Sequence, residues 1–192
     1  MKMNIAQKYR SSSKELSKPI SLTVSAMLLA LSIVLGYFAN LSINFLGTNV
    51  IKIGFNVVPI VIVAMLYGPV PASIVGACSD IIGYMLAPKG AYIPGFTISM
   101  ILIGTIYGLS FYKEKITLKR VIITELIVSL FVNIMLGVTW FTLFYGVPFT
   151  RALTIRGLKE LFDIPLSIII YFSMYKLLMR IPEAKRILKT EN

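Results

Sequence analysis

Histidine is absent from the 192 residues, and cysteine occurs once, at Cys78. The first absence removes the commonest general base and the commonest metal ligand. The second excludes a disulfide within the chain and a thiolate cage for a metal. Charge is sparse: only 14% of the residues are charged, and Asp and Glu together number 8. No phosphate-cradling glycine loop, no nucleophile beside a base and no metal-ligand spacing can be found along the chain. An enzyme or a pump needs one of these. Catalysis, a cofactor and a bound metal are therefore not expected. If the chain helps to move a solute uphill, another subunit must hydrolyse the nucleotide.

Apolar residues fill the space that charge leaves. The chain is 57% hydrophobic, with a mean hydropathy of +0.83. A soluble domain rarely exceeds about half apolar, so the composition indicates an integral membrane protein. The formal charge of +11 raises the question of nucleic acid. Its distribution answers against it, because Lys and Arg sit in short stretches beside apolar runs, as membrane topology demands. The chain is polar up to Lys18, and the first apolar segment lacks a small-residue cleavage pattern. A signal peptide is therefore not expected.

The chain divides into a basic tail over 1–19, a six-span body over 20–180 and a basic tail over 181–192. The first tail is amphipathic or disordered. The spans are predicted near 20–39, 55–67, 71–86, 95–112, 121–144 and 158–179, which gives an all-α membrane protein. Residues 40–55 carry Asn40, Asn44, Gly47 and Asn49 among β-branched residues and predict a loop with some extended structure. Gly68-Pro69-Val70-Pro71 predicts a tight turn, and a polar loop is expected up to Gly157. Fourteen Lys and Arg fall before the first span, in 113–120 and at the C-terminal end, against five on the opposite side. Both termini are thus expected in the cytoplasm. The second and third spans fall short of the roughly twenty residues that cross about 30 Å of hydrocarbon. Short helices beside Gly/Pro-interrupted loops point to a ligand pocket near the extracellular face.

Candidate ligand groups gather on that side. Asp80 lies inside an apolar segment, where an acid is a functional candidate unless it is a structural partner for Lys52, Lys89 or an arginine. Tyr84 follows one turn on, with Gly76 and Gly83 on the same face. Lys89, Tyr92 and Phe96 flank the break at Pro88-Lys89-Gly90. A carboxylate, an amine and aromatic faces together suit a flat, polar, anionic small molecule. Arg151, Arg156 and Lys159 either grip carboxylates or form the i,i+4 pairs Arg156–Glu160 and Lys159–Asp163. Trp140 anchors the membrane interface or stacks on the ligand. Glu125 is expected to be neutralised by Lys119 and Arg120 and is given no function. Ala26 and Ala30, like Gly104 and Gly108, are small residues four apart that let another helix approach, inside the protein or outside it.

Ala26-x-x-x-Ala30, Gly68-Pro69, Asp80 and above all Ala91-Tyr-Ile-Pro-Gly-Phe-Thr97, leading to Ile106-Tyr-Gly-Leu109, carry a resemblance. The chain, from about Leu22 to Met179, resembles the substrate-binding S-components of energy-coupling factor (ECF) vitamin transporters, most of all the folate-specific ones. The resemblance implies a six-helix subunit of a bacterial plasma membrane. It implies high-affinity capture of folate outside and delivery inward with a transmembrane coupling subunit and two ATPases. Ala26 and Ala30 would then face the coupling subunit. The chemistry above assigns Asp80 to the pterin edge, Tyr84, Tyr92, Phe96 and Trp140 to its faces, and Lys89, Arg151 and Arg156 to the glutamate carboxylates. The alternatives are an S-component for another vitamin, such as thiamin, riboflavin or a queuosine precursor, and a membrane enzyme or stand-alone secondary carrier. The expected lack of a second buried acid argues against the last two.

Overall fold

Proline opens helices along this chain. Pro19, Pro69, Pro94 and Pro182 each stand at the first position of one, where the missing N–H goes unneeded and the fixed φ already fits. The computed structural model describes residues 3–38, 40–45, 48–88 and 92–189. Its elements are α1 (Ile5–Glu15), α2 (Pro19–Phe38), β1 (Asn40–Phe45), β2 (Thr48–Gly54), α3 (Val57–Tyr67), α4 (Pro69–Leu86) and α5 (Pro94–Phe111). After these come α6 (Leu118–Ile127), a π-helical stretch over Val128–Leu136, α7 (Gly137–Tyr145), α8 (Phe149–Leu178) and α9 (Pro182–Lys189).

The all-α membrane architecture is present, with one small addition. Strands β1 and β2 pair antiparallel, from Asn40 opposite Gly54 to Phe45 opposite Thr48, where extended structure was expected within a loop. Five helical segments are long and apolar enough to cross a bilayer: α2, α4, α5, the continuous 28 residues of Leu118–Tyr145, and α8. The helix expected as the second span, α3, has only 11 residues. It is the hub of the fold: Ile60, Val61, Val63, Ala64 and Met65 are all at most 1% exposed. Surrounding helices cover this short helix, so lipid does not have to.

Helices α4 and α5 pack through glycine. A Cβ on Gly104 would lie 2.5 Å from the Ala72 carbonyl oxygen, and one on Gly108 would lie 2.3 Å from Pro69 Cα. The pair Gly104 and Gly108 therefore serves packing inside the protein. Against the expected four-residue turn, the break between α3 and α4 is Gly68 alone. Its φ of +88° suits glycine, and a Cβ there would come within 2.8 Å of Ser12 Oγ and of the Tyr112 ring.

Two polar stretches that read as tail and loop are helical. The basic tail forms α1, which docks on the membrane helices. Ser12 Oγ donates to the Tyr67 carbonyl at 2.8 Å, and Lys8 Nζ donates to the Leu109 carbonyl at 2.8 Å and to Glu114 at 2.9 Å. The loop expected up to Gly157 is the first part of α8, which begins at Phe149 and runs through Pro165. Several of its polar side chains bond within the helix. Thr154 Oγ1 donates to the Thr150 carbonyl at 2.9 Å, and Lys159 pairs with Asp163 at 2.8 Å.

Candidate functional site

Helices α3, α5 and α8 all begin at the same end of the bundle, and a cavity of about 570 Å³ opens there. Asn56, Phe96 and Ala152, beside those three starts, line its upper part, while Tyr107, Glu125 and Tyr171 line its lower part. From Phe96 to Tyr107 the wall descends eleven residues of α5, roughly 16 Å at 1.5 Å per residue. The site reaches well below the loops that were expected to frame it. Its volume lies within the roughly 300–1,000 Å³ of small-molecule sites.

One wall comes from a single face of α8. Ala152, Arg156, Lys159, Asp163, Ser167 and Tyr171 all line the cavity, at the three- and four-residue spacing of one helical face. Cations therefore lie nearer the mouth and an acid and hydroxyls lie deeper. The Arg156 guanidinium stands over the Phe141 ring, 4.5 Å from its centroid, and donates to the Asn133 carbonyl at 3.3 Å. Of the two expected ion pairs, Lys159–Asp163 forms. Glu160 is instead bonded by Ser129 Oγ at 2.6 Å and by Asn133 Nδ2 at 3.2 Å. Asp163 keeps Oδ1 buried and without a hydrogen-bond partner among the described residues.

The facing wall is the π-helical stretch, which contributes Val128, Val132 and Asn133. Ser129 and Asn133, four residues apart and so on one face, both bond the same Glu160 carboxylate. Stretches of π-helix recur at functional sites.

Asp80 sits at a partition. It lines the main cavity and also a side pocket of about 260 Å³ that includes Tyr84, Gly83 and Ser79. Thr97 Oγ1 donates to Asp80 Oδ2 at 2.6 Å. That uses the only proton of the threonine hydroxyl, so the Tyr92 hydroxyl, 2.5 Å away, donates to Thr97. Rings of Tyr84 and Tyr92 lie 5.1 Å apart. Asp80, Tyr84 and Tyr92 are thus brought together, and among the described residues the acid is held by a hydroxyl chain and not by a cation.

The remaining candidates are dispersed. Phe96 lines the cavity and meets Phe141 edge-on at 6.1 Å. Trp140 braces the wall from behind: its ring covers Gly95, where a Cβ would lie 2.4 Å from the indole, and Nε1 donates to Ser99 at 3.2 Å. Arg151 is exposed on the first turn of α8. Lys89 lies outside the described residues. Ala26 and Ala30 are both exposed on the outer face of α2, whereas Ser21, Ser25 and Ser32 on its inner face are buried.

Two expectations about acids are corrected. Glu125 is not neutralised by Arg120, which binds Glu114 at 2.7 Å. Glu125 is 3% exposed, accepts a hydrogen bond from the Tyr107 hydroxyl and lines the cavity. Nor is Asp80 the single buried acid, because Glu160 is 1% exposed and Asp163 faces the site. A signal existed in the polar stripe from Arg156 to Tyr171 at helical spacing. It is masked because Arg156, Lys159, Glu160 and Asp163 read equally well as i,i+4 ion pairs at a helix start.

The family model described as "ECF transporter, substrate-specific component" matches residues 21–175. A Clostridium novyi protein described as folate transporter FolT is 34% identical over 164 residues, covering 85% of this chain and 92% of its own length. Proteins of the same description from Leuconostoc mesenteroides and Streptococcus mutans are 32% and 29% identical, covering 77% and 88% of this chain and 80% and 92% of their own. A solved structure described as FolT bound with folic acid superposes with a TM-score of 0.71 at 34% identity, covering 82% of this chain and 95% of the other. The chain belongs to the substrate-specific component family of ECF transporters, whose members are substrate-binding subunits and not enzymes.

Proposed function

We propose that this chain captures folate at the outer face of a bacterial plasma membrane and delivers it inward with a coupling subunit and two ATPases. The observation that carries the reading is the make-up of the cavity. Flat rings of Phe96, Phe141, Tyr107 and Tyr171 share it with the carboxylates of Asp80, Glu125 and Asp163 and with the Arg156 guanidinium. A pterin offers a planar ring with hydrogen-bond donors on one edge, and a glutamate tail offers carboxylates. Acids and aromatic faces meet the first need and arginine meets the second.

Within this reading Asp80 accepts from the pterin edge, with Tyr84, Tyr92 and Phe96 against the ring. Arg151 and Arg156 hold the tail, Lys89 adds charge at the mouth, and Trp140 acts through the wall it braces. The end bearing α1, α9 and the 112–117 turn carries most of the Lys and Arg, which supports cytoplasmic termini and an extracellular mouth. Ala26 and Ala30 form the contact with the coupling subunit. Mass spectrometry of the small molecule that survives purification tests the reading. A pterin-glutamate compound is expected, and a different vitamin in its place would overturn it.

A further inference from the structure

We infer that Gly137 is a specificity-determining position, because the side chain it lacks is the space in which the Arg156 guanidinium is held ready for a ligand carboxylate. This rests on the folate reading and names the residue that makes its anion-binding half possible. Gly137 and Arg156 both line the cavity. A Cβ on Gly137 would stand 2.6 Å from Arg156 Nη1, 2.8 Å from Cζ and 3.2 Å from Nε. No other residue type leaves the whole guanidinium fork that room.

The rest of the seat is neutral. Phe141 offers its ring face and Asn133 its carbonyl oxygen. Neither cancels the charge. Glu160 attracts Arg156 but forms no ion pair with it among the described residues: its Oε2 takes Ser129 and Asn133, and its Oε1 has no hydrogen bond. Lys159 differs: its Nζ lies 2.8 Å from Asp163 and 3.7 Å from Glu160. Lys159 is therefore an internal strut, and among the described residues lining the cavity Arg156 is the cation with no acid in ion-pair contact. Its planar fork can take a carboxylate through two parallel hydrogen bonds, and a shift of the fork loses both.

The atoms that a new Cβ would meet belong to the far end of a flexible side chain and not to backbone. Gly137→Ala should accordingly move the guanidinium and leave α7 and the π-helical stretch in place. Gly137 is then a positioning residue that acts through Arg156. The test is a cycle of four purified proteins: wild type, Gly137→Ala, Arg156→Ala and the double variant. Each is titrated calorimetrically with folate and with a bare pterin that lacks the glutamate. Gly137→Ala is expected to weaken folate binding roughly ten- to a hundredfold, the scale of a charge-assisted hydrogen bond. The double variant is expected to bind folate no more weakly than Arg156→Ala alone, since the two changes remove one interaction. Affinity for the bare pterin should not change across the set. Unchanged folate binding in Gly137→Ala, additive losses in the double variant, or equal losses for both ligands would each overturn the proposal. So would a Gly137→Ala protein that fails to fold, because the helix and not the guanidinium would then have given way. Wild-type protein that binds no folate would instead contradict the folate reading itself.

Discussion

Among the described residues Asp80 enters the span of α4 with no ion pair, and its hydrogen bond comes from a threonine backed by a tyrosine. A structural acid in a membrane is usually paired with a base. A carboxylate that takes a single hydroxyl among the described residues has oxygen lone pairs left to meet a donor edge. Asp80→Asn should therefore weaken folate binding by roughly 1.5–3 kcal/mol. An unchanged dissociation constant in a folded variant would remove Asp80 from the site. Single residues were unevenly legible in the sequence. Asp80 stood out because apolar residues surround it. Glu160 and Asp163 did not, because Arg156 and Lys159 stand four residues before them and offer each an i,i+4 partner. These side chains face inward and meet one another, a grouping that only the helix geometry produces.

Elements were legible where backbone chemistry punctuates them. The first four spans lie within two residues of expectation, because Pro69, Gly68 and Pro94 stop one helix or start the next. Helix α8 begins nine residues before its expected start, and the π-helical stretch gives no sign, because the mostly apolar Val128–Leu136, with Ser129 and Asn133 four apart, suits an ordinary helix equally well. The basic tail was legible as charge but not as a docked element. Helix α1 is tied down by Lys8, whose partner Glu114 also binds Arg120. Burial pushes the Glu114 carboxyl up, yet the bonds from Lys8 and Arg120 outweigh it and hold it below its ordinary value. A carboxylate lowered in the folded state stabilises above its unfolded pKa and loses that contribution as pH falls through the folded value. Glu114→Gln should thus lower stability by about 1 kcal/mol at neutral pH. The gap between variant and wild type should close as pH falls below about 4.5. Thermal unfolding in detergent across pH measures this, and parallel curves at every pH would show that Glu114 does not anchor α1 through its charge.

At the scale of the whole molecule, the cavity and the outer face of α2 are separate surfaces. Among the described residues, none of α2 lines the cavity. Ala26 and Ala30 form a shallow exposed strip beside Met27 and Leu31, which are 68% and 43% exposed. In lipid, close packing at small residues carries much of helix association. Ala26→Trp or Ala30→Trp should therefore abolish folate uptake by vesicles holding the full complex while the solitary subunit still binds folate. Uptake that survives both changes would place the partner surface elsewhere. Since ligand capture needs no partner in this account, the solitary chain carries its central claim. Calorimetric titration of the purified chain with folate tests that claim most directly. Saturable one-to-one binding in the nanomolar range, undisturbed by excess riboflavin or thiamin, is the predicted result. A chain that takes up riboflavin or thiamin and gives no heat with folate would contradict it.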